Sequence, residues 1–322
     1  MTDKASFLIL AAATLCRLLS AQTSAAVDAP VVITIEGEND VLYRGDTFDP
    51  SKIAKTTGAT TSVNTAFLTS VAVGDIRTVN GKPAKGIRSY QVLAMPFRAN
   101  PSPGQVISDM DSSGMFQCIW TIMTADGKYI GTLTDEGVSA SPHHDVKGGT
   151  GAFQGMTGVH GAMMAVTTQR GASTSEDPAM RRTLGGGAFS TTFYLYPRSR
   201  PAVVTTSTGP AVTHADGKLV SSANPAGAGE ILTVYATGLG PTTPFVDLGQ
   251  PFPQGSAYAA NSPVDVLVNG HSSEVLFAGG YAGAVDGYQV NFRLPTEIPA
   301  GTASLQLTAA WIPGAAVAIP TK

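Results

Sequence analysis

The sequence predicts an all-β protein, a small antiparallel β-barrel of about eight strands followed by a β-sandwich. Three observations carry this expectation. Apolar and β-branched runs of four to nine residues recur between Gly, Pro, Asn and Asp clusters from residue 31 onward. No stretch after residue 27 combines a helix cap with a 3.6-residue apolar period. A Pro- and Thr-rich break near residues 197–213 then separates two series of such runs.

Composition narrows the function classes. The chain has 322 residues, 20 basic against 23 acidic, and a formal net charge of -3. Its charged fraction of 13% is about half that of an average soluble domain, while 43% hydrophobic residues supply ample core. A pI near 5.9 without a Lys/Arg run argues against nucleic-acid binding. Two Cys exclude a disulfide scaffold and a Cys-rich zinc fold. So low a charge also excludes a long coiled coil.

In chain order, the first 26 residues read as a signal peptide. Lys4 gives a short positive region, and residues 6–15 (SFLILAAATL) form an apolar run interrupted by Arg17. That run is too short for a bilayer anchor, so no transmembrane segment is expected. Small residues favour a cut after Ala26, with Ala21 as the alternative, and the mature protein is expected to be secreted or periplasmic. Cleavage removes Cys16 and leaves Cys118. In FQCIW, Cys118 shares a strand face with Phe116 and Trp120, so a buried, inert thiol is expected.

Residues 27–63 read as an extension with the first strand, and residues 64–197 as the barrel. The strand runs are 31–35, 67–73, 87–95, 115–124, 129–134, 158–168 and 189–196. In the last, Phe189, Thr191, Phe193 and Leu195 point one way, and Ser190, Thr192, Tyr194 and Tyr196 the other. Two populated faces suit a closed barrel wall. Residues 169–187, with Arg170, Glu176, Asp177, Arg181 and Arg182, look like a long insertion before the last barrel strand, either functional or disordered. Residues 198–212 read as a linker.

Residues 213–322 carry runs at 230–237, 264–269, 274–278, 288–294 and 304–308, a spacing that suits a β-sandwich. Charge shifts as well. Residues 201–322 hold three basic and seven acidic side chains. Gly238 and Gly240 mark a tight turn, Asn269-Gly270 a hairpin, and Pro295 a strand end.

Two resemblances follow. EILTVYATGLGP (230–241), VDVLVNG (264–270), YQVNFRLPTEIP (288–299) and Gly301-Thr302-Ala303 together resemble the Ig-like, TIG-type domain that closes many secreted bacterial proteins. That resemblance implies a spacer or attachment module. DVKGGTGAFQGMTGVHG (145–161) resembles the allene oxide cyclase-like and dirigent-like barrels, with supporting pieces at 74–77, 81–83, 116–118 and 126–130. Many bacterial relatives of that kind pair a Cys matching Cys118 with one in an earlier strand, and residues 87–95 hold none. The family's charged catalytic positions find no secure match here.

Candidate chemistry is sparse. Asp75 and Arg77 lie two apart on one strand face and suggest a polar pair in a barrel mouth, for catalysis or for structure. Asp135-Glu136 offers a carboxylate to a cavity or to solvent, with Glu136 a catalytic candidate. His143, His144 and His160 suggest a metal site, weakened because neighbouring strand residues face opposite ways. Tyr90, Phe116, Trp120 and Phe193 are candidate ligand-binding walls. No G-x-S-x-G, HExxH, P-loop or dinucleotide fingerprint occurs, and no cofactor is expected. Two functional classes remain. One is a secreted barrel that binds a small, largely apolar ligand or a cell-surface component. The other is a cyclase/isomerase or dirigent-like enzyme. Carbohydrate binding or adhesion is a third possibility, with Trp120, Trp311 and Tyr258 as its aromatic hints.

Overall fold

The computed structural model describes residues 29–44, 68–94, 114–138, 143–161, 163–173 and 175–322. The expected signal peptide and residues 45–67 lie outside these. The first sheet is built from β1 (Val31–Arg44), β2 (Leu68–Val79), β3 (Lys82–Ala94), β4 (Gly114–Thr124), β5 (Tyr129–Val138), β6 (His144–Gly151), β7 (Thr157–His160), β8 (Met164–Ala165), β9 (Arg170–Ser173) and β10 (Gly187–Tyr196). Strands β1 to β7 pair in sequence, β7 pairs with β10, and β10 pairs back onto β1. This closes an eight-stranded antiparallel barrel. Strand β8 extends the β7 edge of β10, and β9 runs parallel to the end of β1.

Two local differences from the sequence expectation matter. The 158–168 run is not one strand. Gly161 interrupts it, so β7 ends at His160 and β8 is a separate pair of residues. The 169–187 insertion is ordered where described: β9, a 3-10 turn at Pro178–Met180 and a one-turn helix, α1 (Arg181–Leu184), fold it against β1.

The barrel interior follows strand alternation. Val31, Ile33 and Ile35 of β1, Trp120 and Ile122 of β4, and Phe189, Phe193 and Leu195 of β10 are buried. Alternation breaks once in β1. A bulge between Gly37 and Asp40, with Asn39 at φ 55, turns Asp40 inward beside Val41. A bulge re-aims a side chain in this way.

The second unit is also all-β and has its own apolar core. Its strands are β11 (Ala202–Val203), β12 (Thr205–Thr206), β13 (Gly209–Pro210), β14 (Val212–Thr213), β15 (Ile231–Thr237), β16 (Thr242–Thr243), β17 (Tyr258–Ala260), β18 (Val264–Val268), β19 (His271–Gly280), β20 (Gly287–Arg293), β21 (Gly301–Ala309), β22 (Ile312–Pro313) and β23 (Val317–Thr321). The stretch 198–212 therefore carries strands, and Val203 joins the second core. Leu232, Val234, Val266, Val290, Phe292 and Leu305 are central to that core.

The units share a seam. At the turn between β21 and β22, Ala310 and Ile312 enter the barrel's core cluster and Trp311 packs against it. The Asn261 amide donates to the Tyr129 carbonyl at 2.9 Å, and the Arg200 guanidinium to the Pro313 carbonyl at 3.1 Å. The second unit thus closes one end of the barrel with apolar side chains.

Candidate functional site

The other end of the barrel is polar inside. It lies where β1, β3, β5 and β7 finish. On β5, Asp135 shares the inward face with Leu133 and is fully buried. One carboxylate oxygen, Oδ2, lies 2.8 Å from His160 Nδ1 and 3.2 Å from His144 Nδ1. The other accepts from the Trp120 indole at 2.7 Å. A carboxylate only accepts, so both imidazoles carry their proton on Nδ1 in this arrangement. His160 Nε2 then accepts from the Thr191 hydroxyl at 2.6 Å. His144 Nε2 makes no hydrogen bond to a described residue, and the His144 side chain keeps 16% exposure.

Gly137 makes this placement possible. A Cβ there would come within 2.5 Å of the His144 ring. The His144 ring stacks on Phe116 at 5.2 Å, and Phe116 neighbours Tyr90 at 6.0 Å, so three half-buried rings line this end. His160 stacks on Phe193 at 4.5 Å deeper in.

Beside this cluster is a second polar group. Arg88 of β3 is 1% exposed and donates to Asp40 Oδ1 at 2.7 Å. Its guanidinium lies 4.5 Å from the Tyr90 ring centre, 4.8 Å from Phe189 and 5.7 Å from Trp120. These rings supply cation–π attraction. The Gln169 amide, from the insertion, donates to Asp40 Oδ2 at 2.8 Å and to the Tyr90 hydroxyl at 3.2 Å. The Met163 thioether is the remaining partner, on Arg88 Nη1. Burial pushes the Asp40 carboxyl above its ordinary pKa, even though Arg88 and Gln169 oppose the shift. Burial also pushes the Cys118 thiol up, consistent with an inert, buried sulfur.

The sequence candidates scatter. Phe116 and Tyr90 border the polar end, while Trp120 and Phe193 are fully buried within the barrel core. His144 and His160 meet at Asp135. His143 is exposed and precedes β6. Asp135, His144 and His160 place one ligand atom each within 4.8 Å of one another, a set able to hold a divalent ion. Glu136 is exposed and faces Lys147 at 3.8 Å.

The expected Asp75–Arg77 pair does not form. Asp75 instead accepts from Arg181 at 2.5 Å, from Arg182 at 2.8 Å and from Asn39 at 3.1 Å, while Arg77 is exposed. Two arginines of the folded insertion outcompete a same-strand neighbour. Burial works against ionising Asp75, but Arg182, Arg181 and Asn39 outweigh it and hold the carboxyl below its ordinary range. Of the aromatic hints of a glycan site, Trp120 and Tyr258 are buried, and Trp311 is half-buried and packs against the barrel's core cluster.

Asp40, Arg88, Gln169, Thr191 and Met163 escaped the sequence reading as site residues. For Arg88 a signal existed. It shares its face with Ala84, Gly86 and Tyr90 on β3, a charge at an inward position. A separate cavity of about 820 Å³ lies between the Gly149–Ala152 stretch and the 240–250 segment, lined also by Asp286 and Tyr288. None of the residues of the His–Asp cluster lines it.

No protein-family model matches the chain. No curated protein matches it either. Among solved structures, pyocyanin demethylase is similar over 52% of this chain and 100% of its own length, at 14% identity and a TM-score of 0.27. That overlap is too slight to carry an argument. The barrel itself is a fold compatible with binding a small ligand. Among the described residues, no helix is long and apolar enough to cross a membrane.

Proposed function

We propose that the barrel binds a small, planar, largely apolar molecule at its polar end. The body of the ligand lies along Tyr90, Phe116 and His144, and a polar end reaches the buried charges. The carrying observation is the Asp135 carboxylate, which orients His144 beside an aromatic row with its Nε2 bonded to no described residue. The same observation favours a second reading, an isomerase- or cyclase-like enzyme. An imidazole oriented by a carboxylate takes and returns a proton without a covalent nucleophile. The second unit, Ig-like in its strand motifs, serves as spacer or attachment module. The apolar leader directs the protein to the secreted or periplasmic fraction, and mass spectrometry finding a mature start near Val27 would support that route.

The neutral aromatic ketone 1-tetralone tests both readings. Binding is followed by calorimetry and by Trp120 fluorescence, and proton transfer by NMR of α-deuteration in D2O. Saturable binding that Phe116→Ala weakens supports the ligand reading. Deuteration lost in His144→Ala supports the enzyme. Binding without deuteration leaves a binding protein. If neither 1-tetralone nor related aromatics, neutral or anionic, bind, the ligand reading fails.

A further inference from the structure

Arg88 is the feature that the polar end leaves least satisfied. A guanidinium has five N–H donors and cannot give up its charge. Among the described residues, Nη2 has Asp40, Nη1 has the Met163 sulfur, and Nε has no partner. Thioether sulfur is a weak acceptor. The side chain is 1% exposed, so water does not fill the gap freely. Buried donors without acceptors are costly, and more so on a charged group. A protein core built only for stability would not gather this arrangement beside Asp40 and a bulge in β1.

Met163 supplies the route. It lies between β7 and β8, outside the regular ladder, and is 37% exposed. Its side chain therefore lies partly at the surface rather than locked in the barrel core. Withdrawal uncovers Nη1, and a carboxylate oxygen accepts from it far better than a thioether does. The rings of Tyr90 and Phe189 flank the guanidinium and suit an aromatic body attached to that acceptor.

We propose that Arg88 is the specificity anchor of the barrel, and that the ligand is a small aromatic carboxylate whose oxygens displace Met163 from the guanidinium. This rests on the reading of the polar end as a ligand site and names the ligand class for it. Asp40 is then the resident counter-ion that the ligand competes with, and Gln169 holds Asp40 and Tyr90 in place during the exchange.

The full chain is titrated with 1-naphthoate and with its neutral analogue 1-naphthalenemethanol. Calorimetry measures affinity, and NMR follows the Arg88 Nε–H resonance, assigned by its loss in Arg88→Lys. The expected result is at least about tenfold tighter binding of 1-naphthoate, the equivalent of one charge-assisted contact, with a shift of the Arg88 Nε–H signal. Met163→Ala tightens 1-naphthoate binding several-fold and leaves the alcohol unchanged. Asp40→Asn does the same by removing the competing carboxylate, and Arg88→Lys abolishes the preference. If Arg88→Lys fails to fold, the two affinities in wild type and in Met163→Ala decide the matter without the Nε–H signal, because Met163→Ala alters only a part-exposed side chain. Equal affinity for both probes, or a still Arg88 Nε–H signal at saturation, overturns the proposal while the ligand site stands. Failure of both probes to bind removes the ligand site as well.

Discussion

The two β units bury polar groups differently. Up to residue 197 the buried side chains include Asp40, Arg88, Asp135, His160 and Arg181. Beyond it, the buried polar side chains among the described residues are Thr, Ser and Asn, with no charge among them. Both units reach a dense apolar core of Val, Leu, Ile and Phe, so the charges do not compensate for missing hydrophobic area. Buried ion pairs are weak evidence of stability, since apolar residues of the same shape often do as well or better. Their concentration in one unit, and at one end of it, is the observation on which the proposed site rests. The barrel's other end shows what architecture alone requires: Ala310 and Ile312 plug it with apolar groups.

The largest effect that sharpens this contrast belongs to the second unit. Phe292 is fully buried between β15 and β19 partners Leu232 and Val275. Phe292→Ala is expected to cost about 3–5 kcal/mol of stability. Denaturant unfolding measures it, and ligand binding by the folded fraction is expected to stay unchanged. A loss of binding in the folded protein would mean that the two units are coupled and the contrast is too simple.

Asp135→Asn gives the opposite profile. The amide oxygen keeps one of the two carboxylate positions and the NH2 group faces donors at the other, so either the Trp120 indole or both imidazoles lose their acceptor. A stability loss of about 1–3 kcal/mol is expected. The 1-tetralone deuteration rate is expected to fall at least about 100-fold, the lower range for general acid–base catalysis. A rate that follows stability alone would make the polar layer structural and erase the comparison.

Much of the fold was legible because barrel strands carry their instructions locally. Phe189, Thr191, Phe193 and Leu195 alternate as a strand with one buried face should, and all four are buried. Cys118 was legible for the same reason. The site was less legible because its members depend on breaks in alternation and on contacts across the barrel. Asp40 turns inward only because of the bulge at Asn39. Gln169 reaches Asp40 across 129 positions of sequence. Asp75 and Arg77 obeyed the spacing rule and still separated, because Arg181 and Arg182 arrive from the folded insertion. His144 and His160 were visible as residues, but their meeting at Asp135 required the β5–β6–β7 register.

The smallest expected effect tests whether the second unit's own charged groups are structural. His214 Nδ1 lies 2.5 Å from Glu230 Oε1, and its Nε2 lies 3.1 Å from the Asn224 carbonyl. Both nitrogens face acceptors, so the arrangement favours the doubly protonated ring. Burial alone would lower the His214 pKa, but Glu230 and the Asn224 carbonyl outweigh it and raise it above 6.5, with Asp216 adding to the shift. A raised folded-state pKa means that the stabilisation is fully present below about 6.5 and is lost as pH rises through the higher folded value. Glu230 is held below its ordinary pKa despite its burial, by the Gly227 amide and by His214, so its own contribution is present above about 4.5 and lost as pH falls through the lower folded value. The pair therefore contributes most between those two values. Wild-type Tm is expected to fall between pH 6 and pH 9 by more than that of Glu230→Gln, which keeps an oxygen for the Gly227 amide but removes the charge. Differential scanning calorimetry across that range measures the two slopes. The probe affinities of the barrel are expected to be the same in both proteins at pH 7, because the pair lies in the second unit and serves only its fold. Equal slopes would show that His214 gains nothing from Glu230, and a changed affinity would show that charge in the second unit reaches the site.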